Sequence, residues 1–258
     1  MTPNSALVTD ACVAALFVAP PARQDSNLRV RSHVRGHTIF VALLVLLGGC
    51  NSDLPAAVCQ AGSDAAHKGD YEQAISIISG CLAAPGLRKD DRADALEVRA
   101  WSYSNSAQHA LAVDDQEAAY KLRPPSEYRQ FINYASYLRR VGRIQDSLNS
   151  VLAAEAMEHG KVSMMTQYNK GWSLLELGRH QEAVEAFTKG IPVQPDYAFA
   201  YWRRGLAYEG LGEKIKAQAD FERSARLLIE KNNVAAAGEL LPAMREKLRQ
   251  YDLRHLSL

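Results

Sequence analysis

The feature that most constrains this chain is a repeat. Aligning residues 164–197 with residues 198–231 brings identical residues together at one constant offset: Gly171 with Gly205, Leu177-Gly178 with Leu211-Gly212, Ala183 with Ala217, and Phe187 with Phe221. A fixed period of this length points to an array of similar units, none able to bury its apolar faces alone, instead of one globule around one core. Composition agrees with this. Hydrophobic residues make up 47% and charged residues 23% of the 258, which supplies a packed core and excludes a disordered chain. Sixteen glycines and ten prolines are too few for a sandwich or barrel that turns about every 8–12 residues.

The two units resemble tetratricopeptide repeats. That pattern has a large residue at position 4, a small one at 8, a large one at 11, Leu-Gly near 14–15, Ala at 20, an aromatic at 24, a small residue at 27 and Pro at 32. The unit at 164–197 carries Gly171, Leu174, Leu177-Gly178, Ala183, Phe187, Gly190 and Pro195, and the unit at 198–231 carries Tyr201, Gly205, Tyr208, Leu211-Gly212, Ala217, Phe221 and Ser224. Three degenerate units precede them in phase. Residues 93–126 keep Leu96, Ala100, Tyr103, Ala112, Ala119 and Pro124, with Ser106-Ala107 for Leu-Gly and Gln116 for the aromatic. Residues 128–161 keep Phe131, Ala135, Leu138, Val141-Gly142 and Ala154, with Ser147 and Val151 at positions 20 and 24. Residues 55–88 keep Gly62, Gly69-Asp70-Tyr71 and Ala74, with Ile78 and Cys81 at positions 24 and 27.

The resemblance implies an all-α fold. About five helix–turn–helix repeats over 55–231 would stack as a right-handed superhelix, with the first helix of each pair lining a concave face. Residues 232–258 read as an amphipathic cap with Leu241, Met244, Leu248 and Tyr251 on one side. Pro242 is expected to split that cap into a short helix and a longer one starting near the proline.

The first fifty residues read as an address. An uninterrupted apolar run from Ile39 to Leu47 follows Arg29, Arg31 and Arg35 and precedes Gly48, Gly49 and Cys50. Nine residues make about 13 Å of helix, far short of the roughly 30 Å hydrocarbon core, so the run reads as a secretory signal and not as a membrane span. Leu47-Gly48-Gly49-Cys50 resembles the bacterial lipobox, which implies lipid on the Cys50 thiol and cleavage just before it. Residues 1–49 would then be upstream segment and signal peptide, and residues 50–54 a lipidated tether. Several acyl chains hold to a membrane far better than one. Asn51 stands where an aspartate would signal inner-membrane retention in enteric lipoproteins, so the expected location is the cell envelope, facing the periplasm, with the outer membrane favoured. Residues 1–28 add a second apolar patch and no further methionine occurs before Met157. Translation is therefore expected to start near Leu28, Val30 or Val34.

No chemistry of catalysis is apparent in the remainder. His67, His109, His159, His180 and His255 lack metal-pair spacing, and no phosphate loop, nucleophile elbow or dinucleotide fingerprint occurs. Asp90-Asp91 and Asp114-Asp115 are adjacent and diverge by about 100° on a helix. The reading is a non-enzyme with no cofactor and no metal. A formal charge of +1 gives no reason to expect nucleic acid. Cys59 and Cys81 fall at facing positions of the first hairpin, and an exported chain meets an oxidising compartment, so a disulfide is expected between them.

The concave face is then the candidate working surface. Positions that point into it in tetratricopeptide-repeat proteins hold Glu97, Trp101, Ser104 and Asn105; Arg129, Asn133, Ser136, Arg139 and Arg140; Met165, Tyr168, Asn169, Trp172 and Glu176; and Phe199, Trp202, Arg203, Leu206 and Glu209. Aromatics and arginine anchor protein interfaces. The candidate partner-binding residues are Trp101, Asn133, Tyr168, Asn169, Trp172, Trp202 and Arg203, with Tyr168, Trp172, Trp202 and Arg203 expected in one patch. The two-carboxylate clamp of chaperone-tail-binding repeats is matched only at Asn169 and Arg203. The leading function is a membrane-anchored adaptor for a protein or peptide in cell-envelope assembly, and the alternative is a periplasmic small-ligand binder that works with a transporter.

Overall fold

The structure is a computed structural model that describes residues 54–258 except 158, 162 and 257. The signal run, the proposed start sites and Cys50 lie outside the described residues. Among the described residues there are eleven α-helices and no strand. They form five pairs: α1 (Leu54–Lys68) with α2 (Tyr71–Ala83), α3 (Lys89–Asn105) with α4 (His109–Leu122), α5 (Tyr128–Arg140) with α6 (Ile144–Ala156), α7 (Met164–Glu176) with α8 (His180–Gly190), and α9 (Ala198–Gly210) with α10 (Lys214–Glu230). Each pair coincides with one unit of the sequence period. Consecutive helices pack along the array, and first helices of neighbouring pairs also pack on each other: α1 on α3, α5 on α7, and α7 on α9. The first helices therefore line the inner wall.

Close approach within a pair depends on the small residue at position 8. A Cβ at Gly171 would lie 2.8 Å from the Phe187 ring, and one at Gly205 would lie 2.7 Å from the Phe221 ring. Both phenylalanines are fully buried, so each fills the space that its glycine leaves open. The tight turn between helices needs a left-handed residue, supplied by Gly178 at φ 72° and Gly212 at φ 76°. In the second pair, where Ser106-Ala107 replaces Leu-Gly, Ala107 itself adopts φ 59°.

Polar positions repeat as well. Arg99 grips Asp115 with two hydrogen bonds of 2.6 and 2.8 Å, and Arg204 grips Asp220 at the equivalent positions with 2.7 and 2.8 Å. In both pairs a half-buried arginine on the first helix ties down the second helix, a register that the sequence pattern did not disclose.

A disulfide joins Cys59 on α1 to Cys81 on α2, with the Cα atoms 5.4 Å apart. At the other end, a 3-10 segment (Val234–Leu240) leads into α11 (Leu241–Gln250), whose first turn holds Pro242. The division falls at the proline as expected. The piece before it is not an α-helix, because Gly238 breaks it with φ 47° and ψ −124°. Met244 and Leu248 of α11 join Trp202, Phe221 and Leu228 in one buried cluster.

Candidate functional site

Three successive first helices each send one side chain to the same place. Trp172, at position 9 of α7, is half-buried. The Arg139 guanidinium carbon, from α5, lies 3.2 Å from its ring centroid, and that of Arg203, from α9, lies 3.1 Å away. Two guanidinium groups that close to one centroid cannot share a face, so the indole is sandwiched between them. Cation–π attraction draws each arginine to the ring face. The indole also separates two like charges that would otherwise repel.

The neighbours hold this stack in place. Arg203 Nε donates to Tyr168 Oη at 2.8 Å. Tyr168 meets Trp172 edge-on with centroids 5.6 Å apart, and Tyr197 meets Tyr168 at 5.1 Å and 89°. Burial pushes the Tyr197 phenol well above its ordinary range. Trp172 Nε1 donates to Glu176 Oε1 at 2.6 Å. Burial also pulls Arg139 down to about 10, with Glu176 opposing that shift and the Arg203 charge adding to it.

Around the stack the wall opens into two adjoining cavities. One, of about 350 Å³, is lined by Ile132, Asn133, Met165, Tyr168, Asn169 and Phe199 among others. The other, of about 500 Å³, is lined by Arg140 and Glu176 together with Ala236, Ala237 and Gly238. Arg139, Trp172, Arg203, Ala236 and Leu240 border both. The segment read as part of a distal cap thus also forms one rim of the concave site.

Five of the seven sequence candidates meet here: Asn133, Tyr168, Asn169, Trp172 and Arg203. Asn133 is exposed. Asn169 is buried and donates its amide to the Met165 carbonyl at 2.9 Å. Trp202 does not join the patch, which corrects the expectation. It is only 3% exposed and lies against Phe221 with ring centroids 4.9 Å apart. The cause is its place in the last pair, where α11 and not a sixth repeat covers it. Trp101 is also elsewhere, in contact with the tilted His67 ring and edge-on to Tyr71, with ring centroids 5.6 Å from each. Arg139 matters more than its position alone suggested, and the 234–240 rim was missed. The Ala-Ala-Ala-Gly run carries no periodic signal that could have placed it.

No group of metal-binding side chains occurs among the described residues, and no described helix is long and apolar enough to cross a membrane. The tetratricopeptide repeat family model matches residues 134–198 and 168–228. No curated protein matches the sequence. Similar solved structures include MamA, 21% identical over 70% of this chain and 96% of that one with a TM-score of 0.58. A second MamA crystal structure is 23% identical over 66% and 96%, with a TM-score of 0.56. YrrB, described as a TPR protein with an unusual peptide-binding site, is 16% identical over 66% and 84%, with a TM-score of 0.55. The chain has the fold of a tetratricopeptide-repeat solenoid, and the segment that matches the family carries Trp172 and Arg203.

Proposed function

We propose that this protein is a non-enzymatic scaffold that holds a peptide segment of a protein partner on its concave wall, tethered to the envelope through lipid on Cys50. The observation that carries the binding role is the Arg139–Trp172–Arg203 stack, a half-exposed aromatic fixed between two cations beside open cavities. Fixed aromatic and arginine side chains offer large contact area with little entropy left to lose on binding. The peptide-binding site named for YrrB supports a peptide as the ligand class.

The tether rests on the signal-like run ending in Cys50, and the Cys59–Cys81 disulfide suits an oxidising compartment. An outer-membrane location is part of this proposal on the strength of Asn51 alone. The role within the envelope is assembly or recruitment and not chemistry.

Site-directed photo-cross-linking tests the binding role. A photoreactive residue at Met165, 42% exposed at the cavity, should trap a partner in membranes, whereas one at Ile215, 86% exposed on α10, should not. Equal trapping at both positions would overturn the concave site. Cys50→Ser should abolish lipid incorporation and membrane retention, and unchanged fractionation would overturn the tether.

A further inference from the structure

We propose that the concave site selects an acidic side chain next to a large apolar one in an extended segment of the partner. This rests on the scaffold reading above and names its ligand chemistry. The argument starts from how this protein treats its other well-buried arginines. Arg99 and Arg204 each hold a carboxylate through two hydrogen bonds. Arg139 and Arg203 are more buried still, at 7% and 6% exposure, yet neither has an ion pair with a described carboxylate. Arg139 Nε is buried without any hydrogen-bond partner.

Charged groups taken out of water without a counter-ion in contact are costly, and the indole faces and the Tyr168 hydroxyl on Arg203 offset only part of that cost, so a site that keeps two of them pre-stacked is built for a counter-charge from outside. Glu176 supplies it only at a distance: its charge favours Arg139, but its carboxylate accepts from Trp172 and forms no ion pair with either arginine. Arg140 adds a third cation at the exposed edge of the same cavity. The lining of that cavity therefore carries three cations against one carboxylate, which favours an anionic group on the ligand.

The adjoining cavity sets the second requirement. Ile132, Met165, Phe199 and Leu240 give it an apolar lining, and it shares Arg139, Trp172 and Arg203 with the cationic one. A carboxylate resting on the arginines thus places a neighbouring side chain of the same segment over the apolar floor. Chloride, phosphate or a lone carboxylate would satisfy only half of the site.

The test screens the full-length chain against a library of acetylated, amidated decapeptides randomised at six central positions. The expected result is a bound pool enriched in Asp or Glu beside Leu, Ile, Phe or Met. Changing that acid to its amide should weaken an isolated peptide at least about tenfold. Arg139→Gln and Arg203→Gln should abolish most of the preference, so that each variant binds the acidic peptide and its amide version about equally. Helicity and melting are measured on each variant. If a buried-arginine variant loses helicity, Arg140→Gln at the exposed rim decides, with about a threefold loss expected for the acidic peptide alone and no loss overturning the proposal. A pool without acidic enrichment, lost on Trp172→Ala, would overturn this inference and leave the scaffold standing. Retention only from the same library made with free C-termini would also overturn it, by assigning the arginines to a chain-terminal carboxylate. Retention from neither library would overturn both readings.

Discussion

In the fourth and fifth helix pairs a phenylalanine on the second helix is wedged against a glycine on the first, Phe187 on Gly171 and Phe221 on Gly205. The first pair has Ile78 against Gly62 at those positions, and a Cβ on Gly62 would come within 2.4 Å of Ile78 Cγ1. Ile78 offers less buried area than an aromatic ring, and the core around it is largely alanine: Ala65, Ala66, Ala74 and Ala95. The missing apolar contact is made up covalently by the Cys59–Cys81 bond. In the second pair Gln116 takes the wedge position and is buried with its Nε2 unpaired, while Arg99–Asp115 braces the helices from the side. The same backbone arrangement thus rests on an aromatic wedge at one end and on a cross-link at the other, while the arginine–aspartate brace recurs in the second and fifth pairs alike. What the repeat pattern specifies is spacing, and different chemistries can hold that spacing.

Phe221→Ala should break the burial-held end most severely. It empties the centre of the cluster shared by Trp202, Met244 and Leu248 and should cost about 3–5 kcal/mol, read from chemical denaturation. Removing the cross-link should do the corresponding damage at the other end. The double variant Cys59→Ala with Cys81→Ala should cost about 3 kcal/mol on the chain-entropy view. Because repeats interact with nearest neighbours only, hydrogen exchange should quicken in residues 54–83 and change little in 164–230. Loss spread evenly over all five pairs would contradict the contrast between the ends.

A smaller effect is expected where the two regimes meet. Glu155 on α6 accepts hydrogen bonds from Gln167 (2.8 Å), Lys170 (2.7 Å) and Lys189 (2.8 Å), joining the third pair to the fourth. Burial alone would raise its pKa, but these three donors outweigh burial and hold it at about 2. The folded value lies below the unfolded one, so this stabilisation is complete above about pH 4.5 and is lost as the pH falls towards 2. Glu155→Gln should cost about 1–2 kcal/mol at neutral pH and flatten the decline in melting temperature over that window. An unchanged decline would show that other carboxylates carry it. Least of all, Ala107→Gly should relieve the left-handed turn of the second pair by about 0.5–1 kcal/mol, seen as a small rise in melting temperature.

How much of this was visible in the sequence depended on whether neighbours or distant segments decide the outcome. The small residues at positions 8, 20 and 27 and the turn glycines act within one pair, so the five helix pairs and the Cys59–Cys81 pairing could be read from spacing. Pro242 acts on its own helix, and α11 begins with it. Trp202 was misplaced because its surroundings are set by α11, some forty residues on, whose Met244 and Leu248 close over it. Arg139 was one polar groove residue among many until the structure brought Trp172 and Arg203 to it from two other repeats. The rim at Ala236–Gly238 depends on a single kink at Gly238, and nothing periodic announces where such a segment will lie.

Trp172→Ala tests the central claim, that the concave stack binds the partner, most directly. Partner affinity, helicity and melting temperature are measured on the one variant. The stack as a binding site predicts an affinity loss of at least about 2 kcal/mol with helicity nearly intact. A variant that binds as tightly as the wild-type protein, or one that loses about 3–5 kcal/mol of folding stability and binds normally once folded, would contradict the claim.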